Sequence, residues 1–388
     1  MDHVRGVIAE IAPNDSVERF EGFGAKILQA NAHFIDPRTV EAGGARIVAR
    51  RYVIAAGARA RVPNVPGIEN VPYYTNETIF DLRERPEHLL ILGGGPIGAE
   101  LAQAFVRLGA RVTLFEQGNF LSREDRELAE TVQASLAHDG VDVRAGARVV
   151  DVRLMGNAIQ LKLTHLGKEQ NVVGSHILVA TGRQANIEDL HLDAAGIRAG
   201  GQGISVDAHL RTTNPRVYAI GDVIGGAQFT HVAGYHASVA IRNILFRVPA
   251  KARTRAIPRV TYTDPEIAQV GLTGAEAAAG GITHKITKWP FAENDRARTE
   301  HAIEGQIKLV TSRGARILGV GIVGAHAGEL IWPWVLALEQ GMKLSALASS
   351  IVPYPTRSEV SKRVAGAYFT PALFSARTRW LVKFLGRL

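Results

Sequence analysis

Leu89-Leu90-Ile91-Leu92-Gly93-Gly94-Gly95-Pro96-Ile97-Gly98-Ala99-Glu100 is the stretch on which the fold turns. Its first four residues form an uninterrupted apolar run, the pattern of a strand buried on both faces. The run enters Gly93–Gly98, a match to G-x-G-x-x-G, and residues 99–108 read as a helix. Arg111-Val112-Thr113-Leu114-Phe115 reads as the next strand and ends at Glu116. Each part has a physical task. Gly93 permits the tight turn, Gly95 lets the backbone approach a pyrophosphate, and Gly98 lets helix and strand pack closely. The helix start at Pro96 and Ile97 offers N–H groups from Ile97 onward and a positive dipole end to phosphates. Glu116 lies about twenty residues on, where a carboxylate accepts hydrogen bonds from an adenosine ribose. The strand, turn, helix, second strand and acid in register predict a dinucleotide site at Gly93, Gly95, Pro96, Ile97, Gly98 and Glu116. A Gly-rich turn in an unrelated α/β domain explains Glu116 only by chance. Because a carboxylate repels a 2′-phosphate, NAD(H) is favoured over NADP(H). Arg123 is near enough in sequence to assist a 2′-phosphate if its loop folds back, or is a solvated residue of a helix's first turn.

Around this unit the chain reads as further α/β structure. Residues 6–50 mix a helix near Val7–Ile11 with strand-like runs at Ala25–Ala30 and Arg46–Ala49. Residues 51–57 and 176–182 are both apolar strands ending in glycine, which suggests two dinucleotide domains, yet only one G-x-G-x-x-G turn is read. Ser122 with Asp125 resembles a capping box opening a helix that runs to about Ala137. Val149–Leu163 alternates as a meander, Val217–Asp222 is another glycine-ended strand, and a helix follows near Gly234–Leu245. From Pro258 the chain reads as strands, turns and two helices, with a boundary near Arg253.

Five ordered segments then resemble one family, the flavin-dependent pyridine nucleotide–disulfide oxidoreductases, which include dihydrolipoamide dehydrogenase, glutathione reductase and mercuric reductase. They are Gly93–Glu100, Val179–Arg183, Thr213–Asp222, Pro258–Gly271 and Tyr354–Glu359. The resemblance implies an α/β architecture with Rossmann-like FAD- and NAD(P)-binding domains and a C-terminal α+β dimerisation domain. It places an incomplete FAD-binding domain at 1–75 and 188–252, the NAD(P)-binding domain at 76–187, the dimerisation domain at 253–370 and a basic amphipathic tail at 371–388. It implies that Asp222 holds the FAD ribityl chain and that Gln228, Phe229, Thr230 and His231 lie along the flavin. Ala56 and Gly57 would pass close to FAD, and Gly182 and Val149 close to NAD. Glu100 would lie near the flavin–nicotinamide junction. In isolation Asp222 reads as a helix N-cap, and His231 as a buried histidine at a helix start. His231 and His236 are five apart, which is not a spacing that puts two ligands on one helix face, so no metal is assigned.

The resemblance also marks departures. It begins mid-domain, so the front half of the FAD domain, its glycine turn and the family's redox cysteine pair would lie before Met1. A strand and helix missing from such a sheet would expose apolar surface and an unpaired edge. With no cysteine at all, the chain has no disulfide, thiolate ligand or sulfur nucleophile. Thiol-substrate members carry His at the position of Tyr354, paired with a Glu at that of Glu359, as general acid/base in the partner subunit's active site. Tyrosine, with a pKa near 10, is a poor base but a good hydrogen-bond donor. Tyr354 therefore resembles mercuric reductase more than the lipoamide or glutathione enzymes, unless it is simply an interface tyrosine between prolines. In the family, hydride passes from nicotinamide to flavin on the other flavin face.

Composition bounds what remains. Hydrophobic residues make up 46% and charged residues 21% of the 388, which excludes general disorder. No apolar run reaches the ~20 residues of a membrane span, and the first residues lack a signal-peptide layout, so a cytoplasmic location is expected. The net charge is +8, but six cations and no carboxylate follow Glu359, which leaves +2 for the rest. A basic groove for nucleic acid is therefore not supported. If Ser375–Leu388 is helical, Trp380, Leu381, Phe384, Leu385 and Leu388 share one face opposite Arg379 and Lys383. That pattern suits weak contact with an anionic membrane surface or docking on the chain's own dimer. Two functional classes follow. One is a homodimeric enzyme passing hydride from NADH to FAD and on to an unknown small-molecule acceptor. The other is a flavin-free, NAD-binding and dimerising remnant.

Overall fold

The computed structural model of the chain describes residues 1–387; Leu388, placed on the apolar face of the tail, lies outside the described residues. The chain divides into two compact units.

The first unit comprises 1–63, 74–85 and 181–254. Helices Asp2–Ile11 and Val17–Gly22 precede an antiparallel meander of Ala32–Asp36, Thr39–Ala42 and Ala45–Val48. Tyr52–Ile54 then pairs in parallel with Val217–Ala219, and Ala58–Ala60 pairs antiparallel with Arg183–Ala185. Phe34, Ile54, Val217, Ala219 and Val223 form its core. The expected strand at Ala25–Ala30 does not form. Nothing pairs with it as a strand, and all but Ile27 in that run are exposed. The helix expected near Gly234 begins earlier and spans Thr230–Ile244. Phe20, Phe23, Val48 and Val53 are exposed in this unit.

The second unit comprises 64–73, 86–180 and 255–388. Its parallel sheet has the order His176–Val179, His88–Leu92, Arg111–Glu116, Asp142–Ala145. Every residue of His88–Leu92 is buried, as the apolar run requires of an interior strand. The meander forms from Arg148–Met155, Ala158–His165 and Lys168–Gly174. A five-stranded antiparallel sheet follows, ordered Arg259–Thr261, Glu266–Gly271, Ile317–Gly324, Gln306–Ser312, His284–Pro290. It packs its core, including Phe291, Ile307, Ile322, Trp334 and Val360, against helices Trp332–Glu339 and Glu359–Leu373.

Three readings of this unit need correction. The helix after Glu116 begins at Arg126, not near Ser122. Asp125 caps it by accepting from the Glu127 N–H at 3.2 Å, while Ser122 lies exposed in the preceding turn. Residues beyond Pro258 hold more than two helices. Gly274–Ala279, Asp295–Thr299, Ala327–Leu330 and Leu344–Ser349 each span fewer than two helical turns, too few for an apolar stripe to repeat in sequence. Gly319–Gly324 also spells G-x-G-x-x-G, but it lies within strand Ile317–Gly324. Its glycines serve packing. A Cβ at Gly319 would meet the Leu272 carbonyl oxygen at 2.1 Å, and one at Gly321 the Leu128 side chain at 2.5 Å.

Candidate functional site

In the second unit, strand His88–Leu92 delivers the chain to Gly93, whose φ of +108° suits glycine. Helix Pro96–Arg107 starts after Gly95 with Pro at its first position and no side-chain cap. Its first N–H groups, which have no intrahelical partner, are thus left to a ligand. A Cβ at Gly98 would lie 1.9 Å from the Gly93 carbonyl oxygen, so glycine there lets the helix close on the turn. A Cβ at Gly95 would meet nothing within 4 Å, so the turn is open on that side. Glu116 closes the other side. One carboxylate oxygen accepts from the Gly94 N–H and the other from the Gly118 N–H, each at 2.7 Å. An open glycine cradle at an uncapped helix start, with a fixed carboxylate beside it, fits a nicotinamide dinucleotide.

The other residues assigned to this end have distinct settings. Val149 is half-buried against the core that includes Leu90 and Phe115. Glu100, on the helix, accepts from the Tyr262 N–H at 2.8 Å. Burial raises its pKa above the usual carboxylate range, against that hydrogen bond. The Arg123 side chain is exposed and its carbonyl accepts from Arg259. It precedes the helix rather than sitting in its first turn.

In the first unit, the parallel strands lead into Ala56-Gly57 and Gly221-Asp222. Asn186 ties the former down, its side-chain amide donating to the Ala56 carbonyl and its N–H to that of Gly57. Gly57 has φ +68°, and a Cβ there would face open space. Gly182 lies in this unit, its carbonyl accepting from the Arg61 N–H. Asp222 makes no N-cap bond. It pairs with Arg183 at 3.2 Å, and the same guanidinium nitrogen donates to the Ala58 carbonyl. Arg183 Nε is buried with no protein partner. Helix Thr230–Ile244 opens after Phe229 with no side-chain cap. Phe229 stacks on His231, and the Gln228 amide reaches the Asp222 carbonyl at 3.5 Å. His236 is buried, which lowers its pKa, and its ring accepts from the Gly221 N–H at 3.3 Å. The orphaned Arg183 Nε beside Asp222, with the open Gly57 turn, fits the ribityl-side part of FAD. Residues for its pyrophosphate are not among these.

Tyr354 and Glu359 belong to the second unit. The Tyr354 hydroxyl donates to Asp295 at 2.9 Å, whereas Glu359 pairs with Arg363 at 3.6 Å. The bond to Asp295 raises the Tyr354 pKa further above 10. Asp295 and Arg183 are the functional candidates that sequence reasoning missed. Arg183 follows Gly182 within a segment already singled out. Asp295 lies 59 residues from Tyr354 and carries no local signal. Among the described residues no group of three His, Cys, Asp or Glu side chains is poised to hold a metal.

Residues 8–237 match the pyridine nucleotide-disulphide oxidoreductase model, and residues 257–365 match that family's dimerisation domain. The chain belongs to the pyridine nucleotide-disulphide oxidoreductase family. It is 34% identical over 363 residues to a mercuric reductase of Staphylococcus aureus, covering 93% of this chain and 66% of that protein. A dihydrolipoyl dehydrogenase of Thermus scotoductus is 36% identical over 380 residues, covering 95% of this chain and 79% of that one. Among solved structures, the HOCl-induced flavoprotein disulfide reductase RclA of Escherichia coli superposes with TM-score 0.81 at 29% identity, covering 88% of this chain and 79% of its own. The chain thus spans just under two thirds of the staphylococcal protein's length. Family members are FAD-dependent oxidoreductases that use NAD(P)H, and the dimerisation domain supports a homodimer. Among the described residues no helix is long and apolar enough to cross a membrane.

Proposed function

We propose that this chain is an FAD-dependent NADH oxidoreductase, mercuric reductase-like at Tyr354, that acts as a homodimer on a small-molecule electron acceptor. The observation that carries this reading is the Glu116 carboxylate latched across the open glycine turn by the Gly94 and Gly118 N–H groups. Gly93, Gly95, Pro96, Ile97 and Gly98 cradle the pyrophosphate, and Glu116 accepts from the ribose hydroxyls and selects against a 2′-phosphate. Glu100 and Val149 border this end. Asp222, held by Arg183, accepts hydrogen bonds from the ribityl hydroxyls, with Ala56, Gly57 and residues 228–231 alongside. FAD, when bound, supplies hydride acceptance from nicotinamide and onward electron delivery. The chain contains no cysteine, so its own residues provide no dithiol relay to the acceptor. Tyr354, kept protonated, serves as a hydrogen-bond donor to the acceptor by turning its one O–H from Asp295 to it, and Glu359 supports that end of the site. The domain boundaries expected from sequence are kept as part of this proposal, although the compact units assign 76–85 and 181–187 to the first unit, and a cytoplasmic location belongs to the same proposal.

A second reading rests on a specific feature. The only helix-opening G-x-G-x-x-G among the described residues is Gly93–Gly98, which leaves the FAD pyrophosphate without its own glycine turn. On that reading the chain is a flavin-free, NAD-binding and dimerising module. Flavin absorbance of the purified protein, followed by anaerobic NADH addition, separates the two. Stoichiometric flavin bleached by NADH supports the enzyme, and a colourless protein that still binds NADH supports the module.

A further inference from the structure

The C-terminal helix Ala376–Leu385 lies beyond the family's dimerisation domain, which ends at residue 365, and contains no buried residue. Trp380 is 67% exposed, Phe384 52%, Leu385 54% and Leu381 47%, and Leu373 and Phe374 just before them are exposed as well. At about 100° per residue, Trp380, Phe384, Leu381 and Leu385 share one side of the helix and Arg379 and Lys383 the other. The Trp380 and Phe384 rings stack at 5.8 Å. Ala376, Arg377, Trp380 and Leu381 line a shallow, mostly apolar cleft on this side. No carboxylate side chain follows Glu359, and among the described residues Arg377, Arg379, Lys383 and Arg387 make no ion pair. A folded monomer gains nothing from such exposure, so a partner is called for.

We propose that helix Ala376–Leu385 docks in the plane of an anionic lipid bilayer, with Trp380 and Phe384 at the boundary between headgroups and acyl chains and its cations at the headgroups. The charge decides among possible occupants. A second copy of the tail would bring cationic segments together with no carboxylate between them. A polyanion such as nucleic acid would satisfy the cations but leave Trp380, Phe384, Leu381 and Leu385 in water. An anionic membrane surface satisfies both sides at once, and tryptophan favours the headgroup region. A ten-residue helix lies on a bilayer rather than across it. One such helix binds weakly, but a homodimer carries two, and the second engages at high effective concentration once the first has bound.

The test is co-sedimentation of the full chain with vesicles of equal parts phosphatidylglycerol and phosphatidylcholine, against vesicles of phosphatidylcholine alone. Binding to the anionic vesicles should be at least about tenfold tighter and should fall as salt is raised. Trp380→Ser with Phe384→Ser should weaken it about tenfold or more, and Arg379→Glu with Lys383→Glu should abolish it. NADH affinity, read separately by fluorescence titration, should be unchanged in both pairs. Failure to bind anionic vesicles at low salt overturns the proposal, as does binding indifferent to either pair. A chain ending at Phe374 that turns monomeric by light scattering, together with no vesicle binding by the full chain, also overturns it and assigns the helix to a second copy.

Discussion

At Glu116 two backbone N–H groups and one carboxylate fix a single geometry. Each oxygen already accepts one hydrogen bond, from Gly94 or Gly118, and retains a lone pair for a ribose hydroxyl. Glu116→Ala removes the acceptor and loosens the turn together. A charged hydrogen bond contributes about 1.5–3 kcal/mol, so NADH affinity should fall roughly tenfold to a hundredfold. Discrimination against NADPH should fall with it, because the repelling charge is gone. Fluorescence titration with both nucleotides is the check, and a wild-type preference for NADPH would remove the assigned role. Tyr354 makes a different kind of argument. Its hydrogen bond to Asp295 stabilises the phenol over the phenolate, so the group is a donor across the neutral range and cannot act as a base there. Tyr354→Phe should lower turnover with the true acceptor only modestly, roughly twofold to tenfold, and create no new limb in the pH–rate profile. Flavin reduction by NADH should be untouched in stopped-flow traces. A large loss in that half-reaction would contradict the placement of Tyr354 at the acceptor end.

The start of helix Arg126–His138 shows what secondary elements contribute beyond their residues. Lys308, on strand Gln306–Ser312, reaches Asp125 at 2.8 Å and Glu127 at 3.0 Å, and both Lys308 and Asp125 are about nine-tenths buried. Burial pushes the Glu127 pKa up, but hydrogen bonds from Lys288, Gln306 and Lys308 outweigh it and bring it to about 2. Glu127 therefore stabilises the fold fully above its unfolded value of about 4.3, and that contribution is lost as pH falls through about 2. Burial likewise opposes the charge of Lys308, while Asp125 and Glu127 raise its pKa overall. Its contribution is present below the unfolded value of about 10.4 and is lost as pH climbs through the raised one. Lys308→Met strands the Asp125 charge and should cost about 3 kcal/mol in urea unfolding. Adding Asp125→Asn should recover part of that loss, and no recovery would mean that the ion pair is not the cause. None of this network was legible in the sequence, because its members lie up to 183 residues apart. What was legible were local signals with one physical solution: the apolar run into Gly93–Gly98, the alternating meander and the glycine-ended strands. Where a local signal has competing solutions, the sequence alone does not choose between them. Ser122 and Asp125 could each begin a helix, and the one that caps it is Asp125, which also pairs with the distant Lys308. Gly319–Gly324 carries the letters of a phosphate turn, yet its neighbours Leu272 and Leu128 demand glycine in a strand for want of space. In the candidate site, Glu116 could be read from its place at the end of a strand, whereas Asp295 could not be read at all.

For the whole molecule the remaining question is how the dimerisation domain closes its surface. Ile351 is 97% exposed, Tyr354 69% and Trp332 64%, and all three lie within the matched residues 257–365. Side chains of this size on one domain are what a two-fold interface would bury, and two-fold symmetry buries each of them twice. Burying an isoleucine side chain contributes about 1.5–3 kcal/mol, so Ile351→Asp should remove roughly twice that from the dimer and add two desolvated charges. The expected result is a shift from dimer to monomer in light scattering at micromolar concentration. NADH binding should survive in the monomer, because the glycine turn and Glu116 are completed within one chain. Activity with the acceptor should be lost together with the dimer, since the proposed use of Tyr354 and Glu359 requires a second subunit. A wild-type protein that is monomeric under the same conditions would remove the basis for that use. A dimer that persists in Ile351→Asp would place the interface elsewhere on the domain. Loss of acceptor turnover at concentrations where Ile351→Asp is monomeric, with full NADH affinity retained, would instead tie catalysis to the paired state and cofactor binding to the single chain.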